Sequence, residues 1–267
     1  MSTLLDRLPA RWRAARVLQG GDARWDTAEA VERDGALLLA APSDHGPSLL
    51  VLGDPVAAGR LLTSVVDGRA AHDGPLSRAG FVDRARWLSM VRGTVPTLAT
   101  LAVLGLEPFS TWDWLAADRS PAPHPGEGAV TRLDPHRDAA AIRACLADAN
   151  PGTSADPTAH GEAGWWGVPG PDGLRGVVGA SLRGGGDVPV SWHLHGLGVR
   201  PEARGAGTGS ALTTAVLRAG LREGAQFVSL GMYADNDRAR RIYTRLGFRT
   251  EAELASYGPA GADRPAP

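Results

Sequence analysis

The chain has 267 residues, a formal net charge of −1 at pH 7 and 43% hydrophobic residues, enough for one large or two modest domains. This balance gives no overall basic field for nucleic acid, and no apolar run reaches the roughly 18 residues of a membrane span, so we expect neither partner. The single cysteine, Cys145, excludes an internal disulfide and indicates a reducing compartment, which predicts a cytoplasmic protein. All 28 basic residues are arginines, which is typical of a bacterial genome rich in G and C.

The N-terminal part, 1–119, predicts a small αβ domain without a glycine-rich ligand loop. Apolar residues near helical spacing predict a short amphipathic helix in 1–18. Asp54-Pro55 has the residues of a helix start, with an N-cap followed by a proline at the first position. The remaining predicted elements are strands at 36–40 and 49–52, the helix from Asp54 to about Val66, a helix at 83–90 and a strand at 111–115.

The proline- and glycine-rich stretch 120–128 predicts a semi-extended linker, and a second domain follows at 129–258. We expect the last residues, 259–267, to form a disordered tail. The alternation of predicted strands and helices predicts an α+β domain. Its predicted elements are a strand at 129–133, a helix at 134–149, a hairpin of 165–168 and 173–182, a strand at 190–199, a helix at 207–223, a strand at 226–233, a helix at 236–246 and a strand at 248–256.

A glycine-rich turn joins the 190–199 strand to the 207–223 helix. It reads Arg204-Gly205-Ala206-Gly207-Thr208-Gly209-Ser210. Glycines let the backbone approach a ligand, and the N-terminus of the helix offers free amides and a positive dipole end, so the turn suits a phosphate or pyrophosphate. A nucleoside-triphosphate loop is disfavoured because no Gly-Lys-Ser/Thr follows and the chain has no lysine. A dinucleotide fingerprint is disfavoured because no acidic residue closes the neighbouring strand.

A second motif follows the next strand: Asn236-x-x-Ala239-x-x-x-Tyr243-x-x-x-Gly247-Phe248. Together with Arg204-x-x-Gly207-x-Gly209 it resembles the GCN5-related N-acetyltransferase (GNAT) superfamily, and within it the FR47-like and glycine N-acyltransferase-like subgroup. The resemblance covers roughly 128–258, about half the chain. It implies a splayed mixed sheet, with acetyl-CoA or another acyl-CoA as co-substrate. It also allows the N-terminal domain to be a degenerate copy of the same fold, as in members of the superfamily that contain two such domains in tandem.

The resemblance implies a set of residues that bind the acyl-CoA. Amides of the glycine-rich turn would hold the pyrophosphate, and backbone groups of Leu197 and Val199 would meet the pantetheine arm. Gly196 and Gly198 predict a bulge that parts this strand from its neighbour. The Arg204 side chain either adds charge or lies at the surface, and Asn236 either caps its helix or binds the arm. The full set is Leu197, Gly198, Val199, Arg204, Gly205, Ala206, Gly207, Thr208, Gly209, Ser210, Asn236 and Tyr243.

The catalytic candidates are Tyr243, His193 and His195. By resemblance the Tyr243 hydroxyl protonates the leaving thiolate, although the ring also suits a hydrophobic core. The family's usual glutamate base has no counterpart in 190–199, which is a departure from the pattern. His193 and His195 share one predicted strand face with Leu197 and Val199, and either imidazole could accept a proton or be structural. No third ligand has suitable spacing, so we expect no metal.

The predicted function is an N-acetyltransferase that moves an acetyl group from acetyl-CoA to a primary amine of a small molecule, by direct attack in a ternary complex. Two alternatives stay open. One is a catalytically silent acyl-CoA-binding or regulatory module, and the other is a protein N-terminal or lysine acetyltransferase. The acceptor, the acyl chain and the oligomeric state, a homodimer included, are not determined by the sequence.

Overall fold

The computed structural model describes residues 3–70, 73–185 and 188–262. The described chain divides into two compact units. The first comprises the residues up to Asp113 with Tyr233–Asp235 and the residues from Ala252 on, and the second comprises Trp114–Met232 and Asn236–Glu251. The predicted linker at 120–128 lies inside the second unit. Within the predicted tail, 259–262 forms a turn closed by Ala262 N–H donating to the Pro259 carbonyl (3.1 Å), and 263–267 lies outside the described residues.

The first unit contains a sheet with strand order β1-β2-β3-β4-β11. Its elements are α1 (Leu4–Arg7), α2 (Ala10–Arg13), α3 (Arg16–Gln19), β1 (Glu29–Arg33), β2 (Ala36–Ala41), β3 (Ser48–Gly53), α4 (Pro55–Asp67), α5 (Pro75–Arg78), β4 (Trp87–Val91), α6 (Leu98–Leu104), the first part of β5 (Glu107–Ala117) and most of β11 (Arg249–Gly258), with 3-10 turns at Ala23–Thr27 and Gly68–Ala70. β1 to β3 are antiparallel, β3 and β4 are parallel, and β4 and β11 are antiparallel. The buried faces of α4 and the strands form its core.

Most predicted elements of this unit are confirmed, and two are wrong. The Asp54 carboxylate caps α4 by accepting from the amides of Val56 and Ala57 (both 3.0 Å). The predicted helix at 83–90 is instead a turn followed by β4, because alternate residues of β4, Leu88 and Met90, are buried on one face. The single helix predicted in 1–18 is three four-residue helices, since a proline at position 9 cannot donate to a preceding turn.

The second unit contains a mixed sheet with strand order β10-β9-β8-β7-β6. Its elements are the last part of β5, a 3-10 turn (Glu127–Ala129), β6 (Thr131–Leu133), α7 (Ala139–Ala149), β7 (Glu162–Gly170), β8 (Gly173–Gly185), β9 (Val188–Val199), a 3-10 turn (Pro201–Ala203), α8 (Thr208–Arg222), β10 (Phe227–Tyr233), α9 (Asp237–Arg245) and the start of β11. β6 to β9 are antiparallel, and β9 and β10 are parallel. The predicted order of elements is confirmed here.

Helices cover both faces of this sheet. On one face α8 packs against the even-numbered residues of β9, among them Trp192 and Leu194. On the other face α7 packs against Trp165 and Val177. The predicted start of the α7 helix at 134 is displaced to Ala139, because Asp134 caps a separate turn through the amides of His136 and Arg137 (both 2.9 Å). Strand β9 therefore has a paired strand on each side and a helix on each face.

Candidate acyl-CoA site

Strands β9 and β10 are paired over only part of their length. The parallel ladder joins Ser191–Leu194 of β9 to Phe227–Leu230 of β10. β9 continues to Val199, and among the described residues this ladder has no further pair beyond Leu194 and Leu230. The unpaired backbone past Leu194 forms an edge to which an extended ligand with amide groups can hydrogen-bond as a strand would.

The predicted bulge in β9 is confirmed. Across the β8–β9 pair, Val177 is opposite Gly198 and Gly179 is opposite His195, so β9 has one extra residue in this interval. Gly196 adopts the left-handed region, with φ of +58°. A Cβ at Gly196 would lie 2.9 Å from both the Trp165 ring and the Ala155 side chain, which explains why glycine is needed there.

This bulge makes one prediction wrong. Before Gly196 the even-numbered side chains of β9 lie on the α8 face, and after it the odd-numbered ones do. Leu197 and Val199 pack with the α8 cluster, whereas a Cβ at Gly198 would lie 2.9 Å from Ala149 on the α7 face. His195 instead contacts Trp165 on the α7 face. The two histidines therefore do not share a face with Leu197 and Val199, because one inserted residue shifts the alternation of period two.

The carbonyl groups of Leu197 and Val199 have partners within the protein. Asn150 Nδ2 donates to the Leu197 carbonyl (3.3 Å), and Arg204 Nε donates to the Val199 carbonyl (3.0 Å). Arg204 Nη2 also donates to the carbonyl of Ala149 at the C-terminus of α7 (3.3 Å), where a cation is favoured by the helix dipole. The Arg204 side chain thus ties the glycine-rich turn to α7, and its contribution to ligand charge stays a prediction.

The start of α8 is left open by its sequence. Gly207 is the N-cap, with φ of +80° and no side chain bound to the first amides, and the first turn carries no acidic residue. A Cβ at Gly205 would meet nothing within 4 Å, so the turn faces open space. Amides and a positive dipole end without a side-chain acceptor make an anion site when they lie beside a flexible, glycine-rich backbone.

One neighbour of this turn was missed by sequence reasoning. The stretch before β6 is held against α8 by Arg218, whose Nε donates to Glu127 (3.1 Å) and whose Nη1 donates to the Pro121 carbonyl (3.0 Å). It places His124 beside Gly207, where a Cβ would lie 3.5 Å from the imidazole Nε2. His124 Nδ1 accepts from the Gly126 amide (3.0 Å), so Nε2 carries the proton and is a donor. A histidine in a proline-rich stretch has no sequence feature that would have indicated this position.

The second motif is placed on α9. Asn236 caps this helix, its Oδ1 accepting from the Ala239 amide (3.0 Å), and its contact with a pantetheine arm stays a prediction. The Tyr243 ring packs edge-on against Phe248 (5.7 Å between centroids) and against the cluster on the α8 face. Burial raises the pKa of Tyr243 to about 12, so its hydroxyl is protonated at neutral pH and able to donate. This packing is compatible with both interpretations of the tyrosine.

The two histidines of β9 have polar partners on neighbouring strands. His193 Nδ1 lies 2.9 Å from Ser229 Oγ, which itself donates to the Trp192 carbonyl (3.3 Å). His195 Nε2 lies 3.0 and 3.1 Å from the two carboxylate oxygens of Glu162 on β7. The Glu162 side chain is only 9% exposed. An acid does therefore stand beside β9, but it is 33 residues away in sequence, and a search confined to β9 could not find it.

The part of the chain that the structure describes also bears on metal binding and on membrane insertion. No group of three or more histidine, cysteine, aspartate or glutamate side chains there could hold a metal ion. No helix there has the length and apolar character needed to cross a membrane.

Comparison with known proteins locates the family likeness in the second unit. Residues 141–248 match the Acetyltransferase (GNAT) family. Curated relatives include mycothiol acetyltransferases from Kocuria rhizophila (42% identical over 65 residues, 24% of this chain and 22% of the relative), Arthrobacter sp. strain FB24 (42% over 77 residues, 28% and 24%) and Frankia casuarinae (49% over 61 residues, 23% and 18%). This chain thus matches about a quarter or less of each relative's length.

Solved structures resemble the chain over nearly its whole length. A GCN5-related N-acetyltransferase from Kribbella flavida aligns with a TM-score of 0.57 at 23% identity, covering 95% of this chain and 96% of that one. A GNAT-family acetyltransferase from Colwellia psychrerythraea aligns with a TM-score of 0.54 at 12% identity, covering 94% and 97%. At these identities the likeness shows the fold, a mixed sheet with helices. Residues 141–248 therefore resemble an acetyltransferase domain of the GNAT family in sequence.

Proposed function

We propose that this protein is an acetyl-CoA-dependent N-acetyltransferase that acts on a primary amine of a small molecule. One observation carries the proposal. The β9–β10 ladder ends at Leu194 and Leu230, and β9 then leads into a turn after which α8 begins without a side-chain cap. An extended ligand with an anionic end and an amide-bearing arm matches both features. Acetyl-CoA has this chemistry, with a pyrophosphate at one end and two amides before its thioester.

The residues present fit such a ligand. Gly205 and Gly207 have φ of +83° and +80°, so the turn exposes backbone amides where side chains would otherwise stand. We assign the pyrophosphate to the amides from Gly205 to Ser210, with the His124 Nε2–H as an additional donor. The arm would run along the unpaired edge of β9 toward Leu194, and its thioester would lie near the point where the ladder ends.

The chemistry requires an acceptor for the amine proton and a donor for the thiolate. Tyr243 is proposed as the donor, because its hydroxyl is protonated throughout the neutral range. His195 and His193 are the candidate acceptors on β9. The positions of the proposed donor and acceptor support the proposal. Tyr243 packs on the α8 face of the sheet and His195 lies on the α7 face, so they would approach a thioester between β9 and β10 from opposite sides.

The acceptor is proposed from the comparisons. The curated relatives are named mycothiol acetyltransferases, so the amine acceptor of those enzymes is the first candidate. Assignment to the FR47-like subgroup stays a proposal that rests on the motifs alone. A cytoplasmic location is likewise proposed, from the single buried cysteine.

For the first unit we propose a GNAT-like copy without an acyl-CoA site. Apart from the short α5, it repeats the order of the second unit from β7 on: three antiparallel strands, a helix, a strand parallel to the third, a helix and a strand. The ligand features are not repeated. Strand β3 pairs with β4 over four residues, the last pair being Val51 and Met90, and β3 ends only two residues after that pair. The Asp54 carboxylate occupies the start of α4. A negative charge at that position opposes a phosphate.

The test is an acetyl-transfer screen. The protein is incubated with acetyl-CoA and a panel of small primary amines that includes the acceptor of the mycothiol acetyltransferases. We expect release of free CoA thiol together with a product heavier by one acetyl group. Tight binding of acetyl-CoA without release for any amine would favour the silent-module alternative, and acetylation of peptide amines alone would favour a protein acetyltransferase.

A further inference from the structure

Glu162 and His195 form a partly buried ionisable pair, and Glu162 lies outside both sequence motifs. The Glu162 carboxylate contacts His195 Nε2 through both oxygens, at 3.0 and 3.1 Å. The two side chains are 9% and 21% exposed. A carboxylate buried this far needs a hydrogen-bonding partner, and the imidazole supplies one.

The pair fixes which nitrogen of His195 carries the proton. An ionised carboxylate only accepts hydrogen bonds, so Nε2 must be the donor. In the neutral imidazole the proton is then on Nε2, and the lone pair is on Nδ1. Nδ1 is therefore the nitrogen that can take up a proton from another molecule.

The surroundings of His195 hold its ring in place. Trp165 packs edge-on against the imidazole, with centroids 5.3 Å apart. On the neighbouring strand, a Cβ at Gly179 would lie 2.5 Å from His195 Cε1, so only glycine leaves room for the ring. With Glu162 bound to one edge, the imidazole has a defined orientation before any ligand binds.

His195 also has a defined place relative to the proposed site. Leu194 is the last residue of β9 paired with β10, and His195 is the next residue along the strand. The His195 backbone therefore lies where the two strands separate, next to the place that the proposed function gives the thioester, and its ring extends over Gly179 of β8 to Glu162 of β7. His193 lies one pair earlier, opposite Ser229, within the closed part of the ladder.

We propose that Glu162 is a positioning residue that holds His195 as the general base, with Nδ1 as the proton acceptor. This inference rests on the proposed function. The amine nitrogen attacks the acyl carbon, a C–N bond forms and the C–S bond breaks. One proton passes from the nitrogen to His195 Nδ1, and one passes from the Tyr243 hydroxyl to the sulfur. Proton exchange with water then resets both residues, and the positive charge gained by the imidazole faces the Glu162 carboxylate.

The first experiment measures the imidazole itself, in the protein without substrate. Two-bond ¹H–¹⁵N spectra of ¹⁵N-histidine-labelled protein, with His195→Gln used for assignment, report which ring nitrogen is protonated. We expect the Nε2–H form in the wild type and loss of this preference in Glu162→Ala. A wild-type spectrum with the proton on Nδ1 would overturn the proposal, whatever the outcome of any activity assay.

The second experiment measures turnover, with acetyl-CoA and the panel amine that gives the fastest CoA release. We expect Glu162→Gln to lower kcat by about 10²-fold or more while KM for acetyl-CoA stays within about twofold. Glu162→Asp should recover part of the loss, because it keeps the charge. The matched control is Glu223→Gln, which removes an exposed carboxylate paired with Arg132 (3.0 Å) in the same unit.

The outcomes separate the two claims. Equal kcat for Glu162→Gln and Glu223→Gln in an active enzyme would overturn the role of Glu162 and leave the acetyltransferase assignment intact. A wild type that binds acetyl-CoA but acetylates no amine would contradict the proposed function, and the Nε2–H spectrum would still decide whether Glu162 positions His195.

Discussion

His195 and Leu197 are two positions apart on β9, yet their side chains lie on opposite faces of the sheet, because Gly196 adds a bulge between them. A regular strand would put both on one face. The bulge puts Leu197 on the α8 face, where Tyr243 packs, whereas His195 stays on the α7 face with Glu162. The geometry of the proposed site therefore depends on one backbone irregularity.

Gly196→Ala tests the bulge. The residue has φ of +58°, and the added methyl group would lie 2.9 Å from the Trp165 ring and from Ala155. We expect the free energy of unfolding to fall by about 2–4 kcal/mol, from backbone strain and overpacking together. Urea denaturation measures it. Gly128→Ala is the control, since a Cβ there meets nothing within 4 Å, and a similar loss in both variants would contradict the strain argument.

Tyr243→Phe tests the proton donor. Removing the hydroxyl should lower kcat by about 10–100-fold and leave acetyl-CoA affinity within about twofold, because the ring still packs against Phe248. Steady-state kinetics and calorimetry separate the two effects. Unchanged turnover would leave Tyr243 as a core residue only.

The raised pKa of Tyr243 also gives a stability prediction. Burial raises the pKa of Tyr243 from the ordinary 10.0 of a tyrosine to about 12, so the folded state holds this proton more strongly than the unfolded state. The stabilisation is complete below pH 10 and is lost as the pH rises toward 12. Tyr243→Phe should therefore show a shallower loss of stability over this alkaline range than the wild type, as measured by urea denaturation at several pH values. Parallel curves for the two proteins would contradict the assignment.

His124→Ala tests the donor beside the glycine-rich turn. Loss of the Nε2–H should weaken acetyl-CoA binding by about 10–100-fold, the contribution of one hydrogen bond to a charged group. Isothermal titration calorimetry measures the affinity. His160→Ala, an exposed histidine in the same unit, is the control. Equal affinities in the two variants would remove His124 from the binding site.

Local patterns predicted much of the fold. Asp54-Pro55 marked the start of α4, two glycines within β9 marked the bulge, and the alternating glycines after β9 marked the turn before α8, because these features depend on residues adjacent in sequence. The helix predicted at 83–90 failed for the opposite reason. Its apolar residues fit the period of a helix as well as that of a strand. The segment forms a strand because it pairs with β3 and β11, which lie far away in sequence.

The site was predictable only in part, for the same physical reason. The turn and the α9 motif are continuous in sequence, so their residues could be named in advance. Glu162 reaches His195 across strand β8, and His124 reaches Gly207 from the stretch before β6. Such contacts arise from strand pairing and packing, and the spacing of residues along the chain does not encode them. The sheet face on which Leu197 lies was predicted wrongly, because the prediction assumed a regular strand and β9 contains one extra residue before Leu197.

The central claim is that the uncapped start of α8 binds the pyrophosphate of acetyl-CoA, and Ser210→Glu tests it most directly. Ser210 is the third residue of the helix, where a glutamate favours folding while its charge opposes an anion. Calorimetry with acetyl-CoA should show affinity reduced by at least about tenfold in Ser210→Glu and largely kept in the neutral Ser210→Gln, with the thermal stability of both maintained. Equal, wild-type affinity in the two variants would contradict the account.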